Sequence, residues 1–421
     1  MQQDTLLTET LRTATYDQIV RMGALPFFKA ISAHQLTPDS YVALLSSLTT
    51  IYDAFDLGVT HASYPPLSAT WAQHVQRKSL LMQDRAAFAA HQYRPVPAAN
   101  LRAEVVAEQI RARALRDPLS MLGGAYILAV WNMGGVALNE QLVNAFRFNT
   151  LIGVSYLASF DTWGPSYWPQ FAAIMDAVPV DTDAVQRVLA SAREILDGIE
   201  DLITLLHPLN ENPTGELVML INPRAGNHRI PDDFREVQAA MRAGERSWLQ
   251  FPYYERRYVQ HGRKFTWSDS NWMVTLAEQN QATVNQQIQW LSRFLATRGM
   301  PQWTMECHLQ LLHEELVQAV PEKRSIYGTL YEAAHVLAEQ RRVHMSDATL
   351  IALDQAFEAH VGPEWSAWLP HAGGLLASAV ADEKDRVPRA VESIESWMVD
   401  PSRFPPAWIE AVHTIIQQAR H

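Results

Sequence analysis

The 421-residue chain contains a single cysteine, Cys307, and this scarcity excludes whole classes of site. No intrachain disulfide can form, and cysteine-rich zinc sites are excluded as well. A chain without disulfides suits a reducing compartment. The polar, acidic start at residues 1–10 also lacks the basic segment and apolar run of a signal peptide. We therefore expect a cytoplasmic protein.

Clustered positive charge, long apolar runs and two common catalytic motifs are also missing. The formal net charge is -11, and the lysines and arginines are scattered, which argues against nucleic acid or an anionic membrane as partner. No apolar run is long enough to read as a membrane span. Neither a glycine-rich phosphate loop nor the Gly-x-Ser-x-Gly motif of many hydrolases occurs. The sequence predicts no nucleic-acid and no membrane partner.

Helical periodicity covers most of the chain, and strand patterns are scarce. Thr37, followed by Pro38 and Asp39, is typical of a helix start, and Ser346 before Asp347 predicts another. Apolar residues at helical spacing between positions 284 and 295 end at Gly299, a typical helix stop. We predict an all-α fold of packed helical bundles.

Breaking residues concentrate in one segment near the middle of the chain. Residues 207–232 contain four prolines and two glycines, with asparagines between them. This pattern predicts a helical domain at residues 1–210, a linker at 211–232 and a C-terminal helical domain at 233–421.

Several segments of the first half, in their order along the chain, resemble haem oxygenases of the bacterial type that accompanies phytochromes. They are residues 11–28 with the Pro-Phe-Phe exit at 26–28, residues 40–55, residues 122–138, the aromatic run at 167–171, and residues 192–203. The resemblance implies a haem-oxygenase-like helical bundle, followed here by a second helical bundle. It also implies a haem or another tetrapyrrole held between two helices.

The resemblance assigns roles to the two helices and exposes what this chain lacks. The first helix of the family carries the histidine that binds haem iron, and the matching position here is Ile19, which has no lone pair. The other helix, matched here by residues 122–138, lies close to the opposite haem face in that family. Glycines such as Gly134 and Gly135 permit that close approach.

The segment at residues 122–138 also departs from the family. Where haem oxygenases usually have a glycine and a small hydroxyl residue, this chain has Val130 and Trp131, followed by Asn132. An indole buries on the order of 200 Å², enough to replace much of a flat ligand's contact area. Met22, one turn after Ile19, is a weak alternative ligand to iron, and core packing is its commoner role. The candidate ligand-binding residues are Ile19, Met22, Trp131, Asn132, Gly134 and Gly135.

Three functions follow from these observations. The first is a haem-oxygenase-like protein that has lost haem oxygenase activity and acts as a module for binding an apolar ligand, for sensing or for protein interaction. The second is an active haem-degrading oxygenase with an unusual axial ligand. The third is a non-haem iron oxidase or oxygenase. Whether the chain is an enzyme stays open at this point.

The third function depends on a weak metal pattern in the second half. Glu332 and His335 lie three residues apart, so they share a helix face, as in di-iron bundles. Such bundles need more carboxylates than this helix supplies. The helix before it, around Glu306, His308 and His313, offers further ligands, although a solvated charged face is the commoner reading. His34, His61 and His74 lack neighbours in sequence that would make them ligands.

The aromatic and basic run at residues 251–257 suggests an interdomain or partner contact and, more weakly, a site that grips an anionic ring system. A protein partner or a homodimer is therefore a possible partner of this chain. Core packing is the ordinary role of the many tryptophans in the second half.

Overall fold

The computed structural model describes most of the chain. Its described residues are 6–72, 74–88, 93, 96–146, 153–209, 217–226 and 228–421, without the side chains at 75–76, 134–141, 144–146, 158–166 and 259–261. None of these residues lies in a β-strand, so the predicted all-α fold is confirmed. Backbone contacts divide the chain into two compact units, residues 1–220 and 221–421. That division falls within the predicted 211–232 linker, whose exact bounds stay a prediction.

Among the described residues up to position 221 there are ten α-helices. They are α1 Leu7–Met22, α2 Pro26–Ser32, α3 Pro38–Ala62, α4 Pro65–Ala72, α5 Val75–Ala87, α6 Pro97–Arg116, α7 Met121–Phe146, α8 Ser155–Asp176, α9 Thr182–Leu206 and α10 Leu217–Ile221. Thr37 caps α3 by accepting a hydrogen bond from the Ser40 amide at 3.2 Å, as predicted.

The helices of the first unit surround a single apolar core. Helix α9 supplies a regular stripe of buried residues, because its apolar positions recur every three to four residues. It packs against α6 and α7, and α3 packs along α6. Helix α3 is the one described helix long and apolar enough to cross a membrane, but 61% of its most apolar window is buried in this core. It is a core helix here.

Ten further α-helices lie in the part of the second unit that the structure describes. They are α11 Phe234–Gln250, α12 Tyr253–Leu276, α13 Gln281–Ala296, α14 Gln302–Ala319, α15 Arg324–Arg342, α16 Asp347–Val361, α17 Pro363–Trp368, α18 Ala372–Lys384, α19 Ala390–Met398 and α20 Pro406–Arg420. Ser346 caps α16 through the Thr349 amide at 3.1 Å, and Gly299 follows α13 with a positive φ of 87°. Both predicted helix boundaries are confirmed.

The described residues of the second unit include two large apolar clusters. Helix α14 lies against α11 and α15 in one cluster, and α16 lies against α18 and α20 in the other. The aromatic run predicted as a partner contact is largely internal: Phe251 and Tyr253 are fully buried, and Tyr254 is nearly so. The Tyr253 hydroxyl donates to the Gly299 carbonyl oxygen at 2.7 Å. These rings therefore stabilise the second unit rather than offering an exposed surface.

Candidate functional site

Helix α1 is fixed to the first unit at two points along its length. At its start, the Thr8 amide and hydroxyl donate to the carboxylate of Asp176 at 2.9 and 2.8 Å. Further along, the Gln18 amide donates to Asp197 and Glu200 on α9 at 2.7 and 2.8 Å. The position of Ile19 is consequently set by α8 and α9, and not only by the local helix.

Helices α1 and α7 are in direct contact near Ile19. Thr15, four residues earlier on the same face, is buried, and its hydroxyl donates to the Leu11 carbonyl within α1 at 2.8 Å. Burial raises the pKa of Tyr126 to about 12. The aromatic ring of Tyr126 lies edge-on to Trp168 at 6.0 Å.

Three of the candidate ligand-binding residues belong to the apolar core of the first unit. Met22 is 6% exposed, and Ile19 and Trp131 are half-buried against the same core. The Trp131 ring lies 6.2 Å from the ring of Phe28 on α2. The indole therefore packs on the segment that follows α1, as its large area favours.

Asn132 is buried and its amide is engaged inside the protein. Its side-chain oxygen accepts from the Tyr156 hydroxyl at 2.6 Å, and its side-chain nitrogen donates to the Tyr52 hydroxyl at 3.0 Å. Burial raises the pKa of Tyr156 well above that of a free phenol. Asn132 thus holds α3, α7 and α8 together through two tyrosines. We find no free polar group on this amide for a ligand.

Gly134 and Gly135 lie within α7, but their surroundings are outside the part of the chain that the structure describes. The described close approaches of α7 occur at a different pair. A Cβ on Gly123 would overlap the Val188 carbonyl oxygen, and a Cβ on Gly124 would come within 2.7 Å of the Phe55 ring. The sequence signal, two adjacent glycines in an apolar helix, was therefore present twice along α7.

His74, which has no promising neighbours in sequence, is a fully buried part of an aromatic cluster. Its ring stacks on Trp71 at 4.8 Å, and its Nε2 lies 3.3 Å from the Tyr167 hydroxyl. Burial, followed by the positive charge of Arg77, lowers the pKa of His74 to about 3. The imidazole is neutral at physiological pH. Spacing along the chain could not reveal it, because Tyr167 is 93 residues away.

Acidification from about pH 7 to about pH 5 is expected to destabilise the first unit through His74. An unfolded imidazole has a pKa of about 6.5, so the unfolded chain binds a proton that the folded chain does not. The stability is lost as the pH falls below about 6.5, by about 2 kcal/mol at pH 5. Urea unfolding, followed by hydrogen exchange of α9 peptides, measures it. His74→Phe should lose less stability over this range, and exposed His61→Phe should behave like the wild type. An equal loss in His74→Phe would contradict a neutral buried imidazole.

Comparisons with known proteins give a family match over the first half of the chain. Residues 5–197 match the family model described as heme oxygenase. The first half of the chain is haem-oxygenase-like. A search of curated proteins gave no significant match.

Solved haem oxygenase structures also resemble the chain. Heme oxygenase-2 from Synechocystis sp. PCC 6803, solved with heme and NO, is 17% identical, with a TM-score of 0.44 over 48% of this chain and 85% of its own. Heme oxygenase-1 from the same cyanobacterium, solved with heme, is 18% identical, with a TM-score of 0.43 over 52% and 97%. The heme oxygenase from Leptospira interrogans is 16% identical, with a TM-score of 0.41 over 48% and 99%.

The residues of the haem-oxygenase-like unit do not fit a histidine-ligated haem. Position 19 offers only an aliphatic side chain, and the nearby thioether of Met22 is buried in the core. His74, the fully buried histidine of this unit, is enclosed by Trp71, Tyr167 and Phe171 instead. No step of haem chemistry follows from this arrangement.

The candidate metal pair in the second unit has no third ligand in the described chain. Glu332 is exposed, and His335 packs edge-on against Tyr331 at 4.5 Å. Within the described residues, no group of three or more His, Cys, Asp or Glu side chains could hold a metal ion. The pair remains a prediction.

The helix before that pair is not a solvated charged face. Glu306, His308 and Glu315 are all buried, and each is hydrogen-bonded within the protein. Burial also raises the pKa of Cys307 to about 12, which disfavours a reactive thiolate.

Proposed function

We propose that the haem-oxygenase-like unit has lost the haem oxygenase reaction and serves, in the cytoplasm, as a binding module for a flat apolar ligand. The observation that carries this proposal is Ile19 on α1, at the position where the resemblance puts the iron ligand. An iron-bound oxygen reaction needs an axial donor on one side of the ring and free space on the other. Ile19 removes the donor.

Two further contacts support the loss. Helices α1 and α7 are in direct contact, and Thr15, one turn before Ile19, is buried. Trp131, at a place where haem oxygenases usually have a small residue, packs towards Phe28 at 6.2 Å. An indole at that place occupies space that oxygen would need. The aromatic and aliphatic side chains that remain suit an apolar ring without a ligated metal.

A haemin titration of the full chain, followed by absorbance, tests the lost reaction. We expect no spectrum of a five-coordinate, histidine-ligated haem, and no biliverdin after addition of ascorbate or a ferredoxin reductase system. Ile19→Leu, which keeps the volume, should behave like the wild type. Biliverdin formation by the wild type would refute the proposal and favour an unusual axial ligand such as Met22.

Variants that restore the residue types of the family show whether this chain lost only the iron ligand or also the space on the opposite haem face. Ile19→His and the double variant Ile19→His/Trp131→Ser are compared by the same titration. We expect tighter haem binding in the double variant, because serine removes the indole from the opposite face. Equal affinities would mean that Trp131 does not close the site.

The ligand-binding part of the proposal has a separate test. Protoporphyrin IX, which has the ring of haem but no iron, is titrated into the wild type, and quenching of tryptophan fluorescence is measured. We expect a dissociation constant below about 10 μM, which corresponds to about 7 kcal/mol of binding free energy. No binding at this level would contradict the ligand-binding part of the proposal.

A further inference from the structure

The second unit encloses a cavity of about 520 Å³ that the proposed function does not use. Helices α11, α12, α13 and α14 and the turn after α13 surround it. Its volume lies within the range of small-molecule sites. Much of its wall is apolar, from Tyr254, Phe265, Met273, Leu295, Met300 and Met305. Methionine and aromatic walls of this kind adapt to ligands of different outline.

The imidazole of His308 closes one side of the cavity without bringing a charge. Ser270 donates its hydroxyl proton to the Thr266 carbonyl at 2.6 Å, so it must accept from Nε2 of His308 at 2.9 Å. The other nitrogen, Nδ1, then accepts from the Ser247 hydroxyl at 2.7 Å. Burial lowers the pKa of His308 to about 4. Both ring nitrogens are therefore occupied, and the ring is a neutral wall.

Asp269 is the one acidic side chain among the described residues that line this cavity. No lysine, arginine or histidine of the described chain forms an ion pair with it. Burial raises the pKa of Asp269 to about 7, although a hydrogen bond from Ser268 opposes this shift. An unpaired carboxylate in an apolar cavity is costly, and a cation from outside the chain offsets that cost.

The arginine that lines the cavity makes its contact with an aromatic ring. The exposed side chain of Arg298 lies over the ring of Phe294, with its guanidinium carbon 3.5 Å from the ring centre. Its contact is with an aromatic face and not with Asp269. The lining of the cavity thus includes a carboxyl group and aromatic rings, both of which attract a cation.

We infer that this cavity binds an apolar molecule carrying a protonated amine, with Asp269 as its counter-ion. The aliphatic and aromatic wall residues contact the apolar body. The phenol rings of Tyr254 and Tyr258 and the carboxylate of Asp269 receive the ammonium group. This inference is independent of the proposed function, because it concerns side chains of the second unit alone.

Three matched probes test this inference on the full chain by calorimetry: 2-(1-naphthyl)ethylamine, 2-(1-naphthyl)ethanol and 1-naphthylacetate. At about pH 8 we expect the amine to bind at least about tenfold tighter than the alcohol, and the carboxylate to bind weakest. Asp269→Asn, which keeps the side-chain volume, should reduce the amine affinity to that of the alcohol. Glu364→Gln changes an exposed carboxylate outside the cavity and should leave all three affinities unaltered.

The pH dependence gives a second readout. Among the lining groups, the His308 ring is neutral, and burial raises the pKa of Tyr254 and Tyr258, so both phenols stay uncharged between about pH 6 and pH 8. The pKa of Asp269 lies within this range, so amine affinity should fall about tenfold from pH 8 to pH 6 while alcohol affinity stays constant.

Several outcomes would overturn the inference. The first is equal affinity for amine and alcohol, and the second is tightest binding of naphthylacetate, which would assign recognition to Arg298. The third is an unchanged amine preference in Asp269→Asn. Met273→Trp, designed to fill the cavity, checks the location. If its circular dichroism matches the wild type and the amine still binds equally well, the probe binds somewhere else. Absence of binding by all three probes to the folded wild type would also refute the site.

Discussion

Replacement of Gly123 by alanine is expected to lower the free energy of unfolding of the first unit by about 3 kcal/mol or more. The added methyl group would overlap the Val188 carbonyl oxygen and lie 2.7 Å from the Ala192 amide nitrogen. Both are backbone atoms of α9, so no side-chain rotation can relieve the contact. Helix α7 would have to move away from α9. Since α7 carries Trp131 and Asn132, the candidate site would move with it.

Hydrogen exchange of the α7 and α9 amides during a urea titration measures this loss. Gly23→Ala is the matched control, because a Cβ there meets only the Val20 carbonyl oxygen, at an ordinary 3.5 Å, and its φ of -61° suits alanine. We expect the control to be neutral or slightly stabilising. A change below about 1 kcal/mol in Gly123→Ala would show that α7 can shift cheaply.

The helices of both units were accessible from sequence because their signals are local. Thr37 and Ser346 cap helices within three residues of themselves. Apolar spacing along the α13 segment similarly depends on neighbours one or two turns away. An all-α fold follows from such signals without knowledge of tertiary contacts.

The candidate site was only partly predictable. Ile19 and Trp131 could be singled out, because a resemblance gives their places in an aligned helix. The burial of Asn132 depends on Tyr52, which is 80 residues away, and this distance hides it from periodicity. The sequence also could not single out Asp269, because its place in the lining of a cavity depends on three other helices. Polar groups inside a core need partners, and tertiary structure alone chooses those partners.

Glu306 shows how tertiary structure reassigns a residue that the sequence offers only as a weak candidate metal ligand. Its carboxylate is buried and accepts from Arg341, at 2.9 Å from Nε and 3.1 Å from the terminal nitrogen. The same guanidinium donates to Asp347 at 2.6 Å and to the Met345 carbonyl at 3.0 Å. These bonds join α14 to α15 and to the start of α16. Glu306 is thus held in an ion pair and is not available to bind a metal between the helices.

Removal of the guanidinium in Arg341→Ala is expected to destabilise the second unit by about 3–5 kcal/mol at pH 8, because a buried carboxylate is left without its partner. The neighbouring Arg342→Ala is the matched control. Its side chain is 46% exposed and pairs with Asp347 at 2.9 Å, so its loss should be about 1 kcal/mol or less. Urea unfolding followed by tryptophan fluorescence compares the two, since most tryptophans lie in this unit.

The loss of unfolding free energy caused by Arg341→Ala should become smaller as the pH falls. This direction distinguishes a lost ion pair from lost side-chain packing. Burial already raises the pKa of Glu306 to about 7, and Arg341 is the group that lowers it. Without the arginine, folded Glu306 holds a proton that the unfolded carboxyl, with a pKa of about 4.3, releases. Stability of the variant is therefore lost as the pH rises above about 4.3 and recovered on acidification. A penalty that is the same at pH 5 and pH 8 would assign the whole effect to the missing side-chain volume. In that case Arg341 would hold α14, and the cavity beside it, through side-chain packing and not through its charge.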